Sequence, residues 1–370
     1  MIRNPTGVFP AMIAAMTAVA LAGCQTPPVE QQGLNVLIDP IDAGRLGYTT
    51  QWASSLAIES GQRIGQAVIL DDILVTVEWP SNIVVATELS SGKQRWARAL
   101  ATSAERLFKP GRSGDFILIN SDTQIYSLSA KTGKIQHIHD LPQMVRSGPA
   151  MYENLAIFGG LNGLLFAYNI DTGYLKWKYL VGGQILASPA IYEDTVVVAS
   201  SLGHYALFRA RNGRKVWDGR TFDRISAEPV ITALGVFIAS EDHSLYALHR
   251  TTGLDRWIHR ETAPLTTAPM AIGNTLYVTR PREALVAISA VSGKQLWDEP
   301  ILGDKRPVAI RDQVLALHGR SSILLADVET GTLLDQAPTR ELQTILPTNG
   351  GSLVLIAPNG RLVRLDPKRW

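Results

Sequence analysis

One pattern returns about every 40 residues along this chain: a tight turn ending in glycine, with a tryptophan four residues later. The segments "DTGYLKW" (171–177) and "TTGLDRW" (251–257) are two copies of it. The seven turn glycines lie 38 to 41 residues apart and are Gly92, Gly133, Gly173, Gly213, Gly253, Gly293 and Gly331. A period of this length, sustained over most of a chain, indicates an array of one supersecondary unit stacked against its neighbours.

The unit itself is a group of four short strands. Residues 187–217 contain the runs "SPAIY", "TVVVAS", "HYALFRA" and "RKVW", each ended by turn residues. Short β-branched or alternating runs with tight turns between them predict a four-stranded antiparallel meander. After the first 24 residues, no stretch of about 12 residues or more carries a helical period. The sequence therefore predicts an all-β protein.

A single four-stranded sheet cannot bury both of its faces, whereas sheets packed radially around an axis bury them against each other. We therefore predict a β-propeller in which each recurring tryptophan docks against the neighbouring blade. Burying one tryptophan removes roughly 200 Å² from water, which is worth several kcal/mol at about 25 cal/mol per Å². The predicted docking residues are Trp52, Trp96, Trp177, Trp217, Trp257 and Trp297. His137 and Asp335 stand in the tryptophan position of the two remaining copies, and packing is the expected role of His137.

The number of blades follows from the two ends of the repeat region. The last copy begins near Ile345 and has three strands before the chain ends, so it lacks a fourth. Residues 47–56 form a strand with Trp52 but have no three-strand unit before them. We therefore predict an eight-bladed propeller, closed by pairing of the N-terminal strand with the C-terminal blade. A seven-bladed ring is the alternative if the last copy is not a full blade.

The beginning of the chain has the features of an export signal that ends in a lipidated cysteine. Arg3 precedes an apolar segment from Val8 to Ala22, which is shorter than the ~20 residues of a membrane-spanning helix. The motif "LAGC" resembles the bacterial lipobox, and this resemblance implies cleavage before Cys24 and lipid attachment to its thiol. A plain signal peptide with a chance cysteine is the alternative.

The predicted organisation has three parts: a signal peptide over 1–23, a lipidated cysteine and flexible tether over 24–46, and the propeller over 47–370. The tether prediction rests on the polar stretch "QTPPVEQQGLN" directly after the cysteine. In the sorting rule for such lipoproteins, Gln25 is not a signal for retention in the inner membrane. The expected location is therefore the outer membrane, with the protein facing the periplasm.

Taken together, the "S-x-P-A" start, the three strands and the "T-G-x-x-x-W" turn resemble the PQQ-like repeat of quinoprotein dehydrogenases and of the BamB family. The copies at 148–177, 188–217 and 228–257 carry the resemblance best, and it extends over residues 47–370. BamB-family proteins are lipoproteins of the outer-membrane β-barrel assembly machinery. This resemblance implies a non-catalytic scaffold that binds the barrel-forming subunit, and it implies no cofactor.

The quinoprotein branch of the resemblance implies a different function, a small PQQ-dependent dehydrogenase. Those enzymes hold a calcium ion through Glu, Asn and Asp side chains, and many contain a pair of adjacent cysteines. This chain has one cysteine, and no long insertions interrupt its repeats. Four carboxylates lie near the expected loops but occur singly: Asp223, Glu228, Glu261 and Asp304. We therefore predict no catalytic residues and no bound metal, and we keep the dehydrogenase as the alternative.

The expected partner is a protein, and the propeller itself is expected to be monomeric within a complex. The net charge of +2 gives no reason to expect nucleic acid. Arg146, Arg224 and Arg306 precede the first strands of three blades, so we predict that they line one mouth of the channel and bind a partner. The alternative for these three is solvated loop charge. An envelope sensor propeller with another partner is the third functional hypothesis.

Overall fold

A computed structural model describes residues 36–101, 104–280, 283–303, 305–311, 314–348 and 350–368. The predicted signal peptide, Cys24 and the stretch 25–35 lie outside the described residues. The compact unit runs from Leu37 to Trp370. It therefore includes residues 37–46, which the sequence analysis assigns to the tether.

The described chain forms eight four-stranded antiparallel sheets, as the repeat predicts. Seven of these blades take their four strands consecutively. The first four blades consist of β2 (Arg63–Leu70), β3 (Ile73–Trp79), β4 (Ile83–Glu88), β5 (Gln94–Ala99); β6 (Gly111–Ser113), β7 (Phe116–Asn120), β8 (Gln124–Ser129), β9 (Ile135–Asp140); β10 (Ala150–Tyr152), β11 (Leu155–Gly159), β12 (Leu164–Asn169), β13 (Tyr174–Leu180); and β14 (Ala190–Tyr192), β15 (Thr195–Ala199), β16 (His204–Arg209), β17 (Lys215–Arg220).

The remaining four blades continue the same order, except that the eighth blade contains the first strand of the chain. They consist of β18 (Val230–Thr232), β19 (Gly235–Ser240), β20 (Ser244–Leu248), β21 (Asp255–Arg260); β22 (Met270–Ile272), β23 (Thr275–Arg280), β24 (Ala284–Ser289), β25 (Gln295–Glu299); β26 (Arg306–Arg311), β27 (Val314–His318), β28 (Ser322–Asp327), β29 (Leu333–Pro338); and β30 (Thr344–Pro347), β31 (Leu353–Ile356), β32 (Arg361–Pro367), β1 (Tyr48–Ser55).

The second and third strands of each blade form the core. In β11 and β15 every residue is buried, so both faces of each strand are covered. A strand is buried on both faces when its sheet lies between two other sheets, which is why these segments are continuous apolar runs rather than alternating ones. The first strands of successive blades contact one another from β6 through β30, so they are the innermost strands around a common axis.

The ring closes as predicted, through β1. This strand pairs antiparallel with β32, and Trp52 lies opposite Arg364 while Ser54 lies opposite Leu362. The sheet order β1-β32-β31-β30 places the N-terminal strand in the outer position of the eighth blade. The prediction of eight blades closed by the two ends of the chain is therefore confirmed.

Six blade junctions share one arrangement of tryptophan and glycine. Each indole N–H donates to a backbone carbonyl three residues before the turn glycine of the next blade, at 2.8–3.2 Å. The glycine lies directly under the indole: a Cβ at Gly253, for example, would come within 2.7 Å of the Trp217 ring. The pairs are Trp52 with Gly92, Trp96 with Gly133, Trp177 with Gly213, Trp217 with Gly253, Trp257 with Gly293, and Trp297 with Gly331.

The junction between the second and third blades has a histidine in this place. The ring of His139 covers Gly173, at 2.4 Å from the position of a Cβ. His137 holds the register position of the tryptophan, opposite Ser127, but it is exposed and stacks on His139 with ring centroids 5.7 Å apart. His139 rather than His137 therefore covers the turn glycine at this junction, and His137 packs on His139.

The junction between the seventh and eighth blades contains a short helix. Helix α1 (Pro40–Arg45) begins after Asp39, whose carboxylate accepts a hydrogen bond from the N–H of Ile41 at 2.8 Å. Leu37, Ile38, Ala43 and Leu46 are buried here against the last two blades. Arg45 of α1 binds Asp335, the residue in the tryptophan position of the seventh blade, at 3.0 Å. The sequence analysis did not predict this helix.

Loops and turns divide between two ends of the blades. The connections from one blade to the next lie at the same end as the turns between the second and third strands, and we call this end the loop face. The opposite end carries the glycine turns, and we call it the turn face. A short 3-10 helix, η1 (Pro300–Leu302), lies in one loop of the loop face. Among the described residues, no helix has the length and apolar character needed to cross a membrane.

Candidate functional site

The loop face is built from connections whose buried residue is hydrogen-bonded to the blade that the connection leaves. Each connection contributes one aliphatic residue that is almost fully buried: Val145, Ile185, Ile225 and Leu265 are 0–3% exposed. The N–H of each donates to a carbonyl in a turn at the loop face, at 2.9–3.2 Å, and the acceptors are Asp122, Gly160, Ser200 and Ser240. The residues on either side of each buried plug therefore have fixed positions on the face.

The position relative to the plug determines where two of the predicted arginines lie. Arg146 follows Val145, one residue further toward the axis, and it lines a cavity of about 430 Å³. Arg224 precedes Ile225 and lies further out, where its guanidinium pairs with Glu241 at 3.2 Å and is half exposed. The two arginines therefore occupy different positions in corresponding loops and have different neighbours, and a mouth lined by both stays a prediction.

Arg306 lies at the start of β26 and lines a second cavity of about 520 Å³. Glu228 lines this cavity and also the one that contains Arg146, so it connects the two. The half-buried imidazole of His318 lies opposite Arg306 in the sheet. Burial, together with the positive charge of Arg306, lowers the pKa of His318 to about 4, so the imidazole is neutral at neutral pH. The charge of Arg306 therefore has no cationic neighbour in His318.

A third cavity, of about 550 Å³, lies between the eighth, first and second blades. Arg63, Glu78, Trp79 and Gln343 are among the residues that line it. Each of the three cavities is lined by the loops of the loop face and by the first residues of innermost strands. The loop face therefore combines a row of cavities, lined by both polar and apolar groups, with a more exposed outer rim.

The outer rim carries three large apolar side chains that sequence analysis did not single out. Leu180 is 66% exposed, Leu202 is 54% exposed and Phe222 is 90% exposed. The N–H of Phe222 donates to the carboxylate of Asp242 at 3.0 Å, which fixes the backbone while the ring stays in solvent. Phe222 and Arg224 lie two residues apart in the same loop, so this loop exposes both an aromatic ring and a guanidinium. The signal in the sequence is the apolar residue inside the polar loop "GRTFDRIS".

The predicted carboxylates do not form one group. Glu261 is buried beside His259 and Arg280, whereas Asp223 and Glu228 are exposed on the loop face and Asp304 lies outside the described residues. In the described part of the chain, no three His, Cys, Asp or Glu side chains come together as a possible metal site. The arrangement offers surfaces and cavities for binding, and the residues that line them are charged, aromatic and hydroxylated.

Comparisons with known proteins agree with this architecture. A family model described as outer membrane protein assembly factor BamB matches residues 45–257 and 181–369, which together span the propeller. A search of curated proteins found no match.

Solved structures give the fold several relatives. BamB from Moraxella catarrhalis is 18% identical, with a TM-score of 0.70, and the match covers 87% of this chain and 98% of that one. The computationally designed protein Ika8 is 14% identical, with a TM-score of 0.68 over 85% and 98%. Quinohemoprotein alcohol dehydrogenase ADHIIG from Pseudomonas putida HK5 is 11% identical, with a TM-score of 0.68 over 87% and 76%. At these identities the likeness concerns the fold alone.

Proposed function

The chain belongs to the family of the outer membrane protein assembly factor BamB, and from this membership we propose that it is a non-catalytic, lipid-anchored scaffold of the cell envelope. In this role it binds protein partners and assists the assembly of β-barrel proteins into the outer membrane. The observation that carries the proposal is the family match over residues 45–257 and 181–369, which leaves no blade outside it.

The lipid anchor is part of the same proposal. Removal of residues 1–23 exposes Cys24, a lipid on its thiol holds the protein at the outer membrane, and the propeller faces the periplasm. Metabolic labelling with radioactive palmitate tests this step. The label should enter the wild-type protein and not the Cys24→Ser variant, which should also appear in the soluble periplasmic fraction. Label in the Cys24→Ser variant, or a wild-type protein in the inner membrane, would contradict the anchor.

The rim near Phe222 and Arg224 is the surface that we propose for the partner, which we take to be the barrel-forming subunit of the assembly machinery. Aromatic side chains and arginine are the residue types enriched at the centres of protein interfaces. An aromatic ring that is 90% exposed has no role in packing within this chain. Arg146 and Arg306 lie nearer the axis and would contact a partner that also covers the cavities.

Crosslinking in the native membrane tests this surface. The wild-type lipoprotein should crosslink to the barrel-forming subunit, and the double variant Arg146→Glu with Arg224→Glu should lose most of the product. Phe222→Ser should weaken it separately. The matched control is Lys131→Glu with Arg214→Glu, which reverses two exposed charges on the turn face and should leave the product unchanged. Equal yields from all variants would contradict the proposed surface, and crosslinks to unrelated proteins would contradict the assembly role.

A small quinoprotein dehydrogenase is the second candidate, because an alcohol dehydrogenase of that class shares the fold. The chain's own residues do not suit a calcium-bound quinone. Of the carboxylates that line the cavities, Asp122 and Glu228 share one with Arg106, Lys109 and Arg146, whose charges oppose a divalent cation. Addition of PQQ and calcium to the purified protein should therefore give no bound chromophore and no reduction of an acceptor dye in the presence of alcohols. A saturable chromophore would favour the enzyme.

A further inference from the structure

The described part of the chain buries two carboxylates, and they differ in their partners. Glu261 binds Arg280 and lies 3.1 Å from the Nε2 atom of His259. Burial acts against its charge, but the hydrogen bonds from His259 and Arg280 prevail and lower the pKa of the Glu261 carboxyl. The fold thus supplies a cation for this buried acid, as buried charges in proteins generally require.

The second buried carboxylate, Glu78, has no cation from its own chain. Its residue is 3% exposed, and its side chain accepts one hydrogen bond, from the hydroxyl of Ser81 at 3.2 Å. No arginine, lysine or histidine among the described residues pairs with it. Burial, as the first cause, raises the pKa of the Glu78 carboxyl, and the negative charge of Glu59 acts in the same direction. A buried acid without a counter-ion is costly for the native state.

Glu78 lies in the wall of the cavity of about 550 Å³ between the eighth, first and second blades. Gln343 lines the same wall, but it offers no acceptor to the cavity: its Nε2 donates to the carbonyl of Ile64 at 2.8 Å, and its Oε1 is buried beyond the reach of a ligand. The two arginines in the wall stack on aromatic rings. The Cζ atom of Arg63 lies 5.2 Å from the ring centroid of Trp79, and that of Arg106 lies 5.9 Å from the ring centroid of Phe108. The wall therefore offers one carboxylate, that of Glu78, which the fold leaves without a counter-ion.

We propose that this cavity binds an organic cation with several N–H donors, specifically a guanidinium group. A guanidinium is weakly hydrated and donates two parallel N–H bonds to a carboxylate, so it suits a buried acid better than a compact ammonium group does. The group would come from a free small molecule or from an arginine side chain of another protein. This site goes beyond the scaffold role and does not depend on it, because neither Phe222 nor the outer rim takes part.

The test is a binding titration of the purified, full-length protein with N-acetyl-arginine amide, whose ends are neutral. Saturable binding is expected, and the neutral isostere N-acetyl-citrulline amide should bind about ten- to hundredfold more weakly, as expected for loss of hydrogen bonds to a charged group. Glu78→Gln preserves the shape of the side chain and should weaken binding by a similar factor. Glu59→Gln removes an exposed carboxylate nearby and should bind like the wild type.

A second measurement uses the wild-type protein alone. The indole N–H resonance of Trp79, assigned by its loss in Trp79→Phe, should shift with N-acetyl-arginine amide and not with the citrulline compound. Equal binding of the two compounds, or unchanged binding by Glu78→Gln, would overturn the proposal. Agmatine, a free cation, and an arginine tripeptide with blocked ends distinguish the sources: tighter binding of agmatine identifies a small molecule, and tighter binding of the tripeptide identifies a protein side chain. Failure of both to bind would also overturn it.

Discussion

Six junctions between blades are packed by a docked tryptophan, whereas the junction between the seventh and eighth blades is packed by helix α1. At each of the six, an indole lies over a turn glycine and donates to a carbonyl of the next blade. In the eighth blade the third and outer strands, β32 and β1, come from opposite ends of the chain, so no glycine turn joins them. Helix α1 occupies this place, and Asp335 binds Arg45 there. The repeat thus determines how a junction is packed only where a glycine turn joins the third and fourth strands of the next blade.

The largest expected effect comes from removing a docked indole. Trp217→Ala should lower the free energy of unfolding by about 3–5 kcal/mol, because it leaves a cavity between two blades and an unpaired carbonyl at Arg250. Urea unfolding followed by circular dichroism measures the change. The control is Trp79→Ala, since Trp79 is 43% exposed and lies outside the junctions, and its cost should be about 1 kcal/mol or less. Similar costs for the two variants would contradict the role of the docked tryptophans.

The second largest loss of stability should come from substituting the turn glycine that lies under the Trp217 indole. Gly253→Ala places a Cβ within 2.7 Å of the Trp217 ring, at a φ of +73°. Gly273→Ala has a similar backbone strain, with a φ of +57°, but its Cβ meets nothing within 4 Å. Strain should cost both variants about 1 kcal/mol, and the clash should cost Gly253→Ala about 1–3 kcal/mol more. Thermal or urea unfolding measures both costs. Equal losses of stability in Gly253→Ala and Gly273→Ala would contradict the close contact between Gly253 and the Trp217 ring.

The junction between the seventh and eighth blades should lose less stability when the residue that binds Asp335 is removed. Arg45→Ala removes an ion pair with Asp335 and a hydrogen bond to the carbonyl of Gln336, both at the surface. Exposed pairs of this kind contribute up to about 1 kcal/mol, so the loss in urea should be well below that of Trp217→Ala. A loss of about 3 kcal/mol or more would mean that Arg45 stabilises its junction as strongly as an indole does.

The histidine junction should differ from the tryptophan junctions in its response to pH. Burial lowers the pKa of His139 from its ordinary value of 6.5, the charge of neighbouring His137 acts in the same direction, and Asp140 opposes both. The unfolded chain therefore takes up the proton first as the pH falls below about 6.5, and the native state loses stability in that range. The expected loss is the smallest of the four.

His139→Phe keeps a ring over Gly173 and removes the titration. Its stability should fall less than that of the wild type when urea unfolding is repeated below pH 6.5, whereas Trp217→Phe should follow the wild type. Part of the loss remains in His139→Phe because the pKa of His318 is also lowered, to about 4. A pH dependence as large as that of the wild type would therefore show that the ring over Gly173 is not a titrating group.

The sequence was sufficient to predict the blades, their number and the closing strand, because each follows from a period that sheet packing enforces. It was not sufficient for helix α1. That helix has six residues, too few for a helical period, and it forms because Leu37 and Ile38 are buried against the last two blades. The covering of Gly173 by His139 rather than His137 was also beyond the sequence, since it depends on how far each ring reaches.

The candidate site was predicted only in part, for a related reason. The loops of the loop face and their arginines could be found from the repeat. Which neighbours an arginine has depends on the side of the buried plug on which it lies: Arg146 lines a cavity, whereas Arg224 pairs with Glu241. The cavity that contains Glu78 is bounded by Arg106 and Gln343, which are far apart in sequence, so only the closed ring brings them together.

The most direct test of this account concerns the strand that closes the ring. Thr49 and Asp366 are partners in the β1–β32 ladder, and the Cα atoms of facing residues in antiparallel ladders lie within the range that a disulfide spans. In a Cys24→Ser background, Thr49→Cys with Asp366→Cys should form a disulfide on mild oxidation of the folded protein. Peptide mass spectrometry should find it, and Thr49→Cys with Asp255→Cys should give none. Equal yields from the two pairs, or no link between residues 49 and 366, would contradict a ring closed by its N-terminal strand.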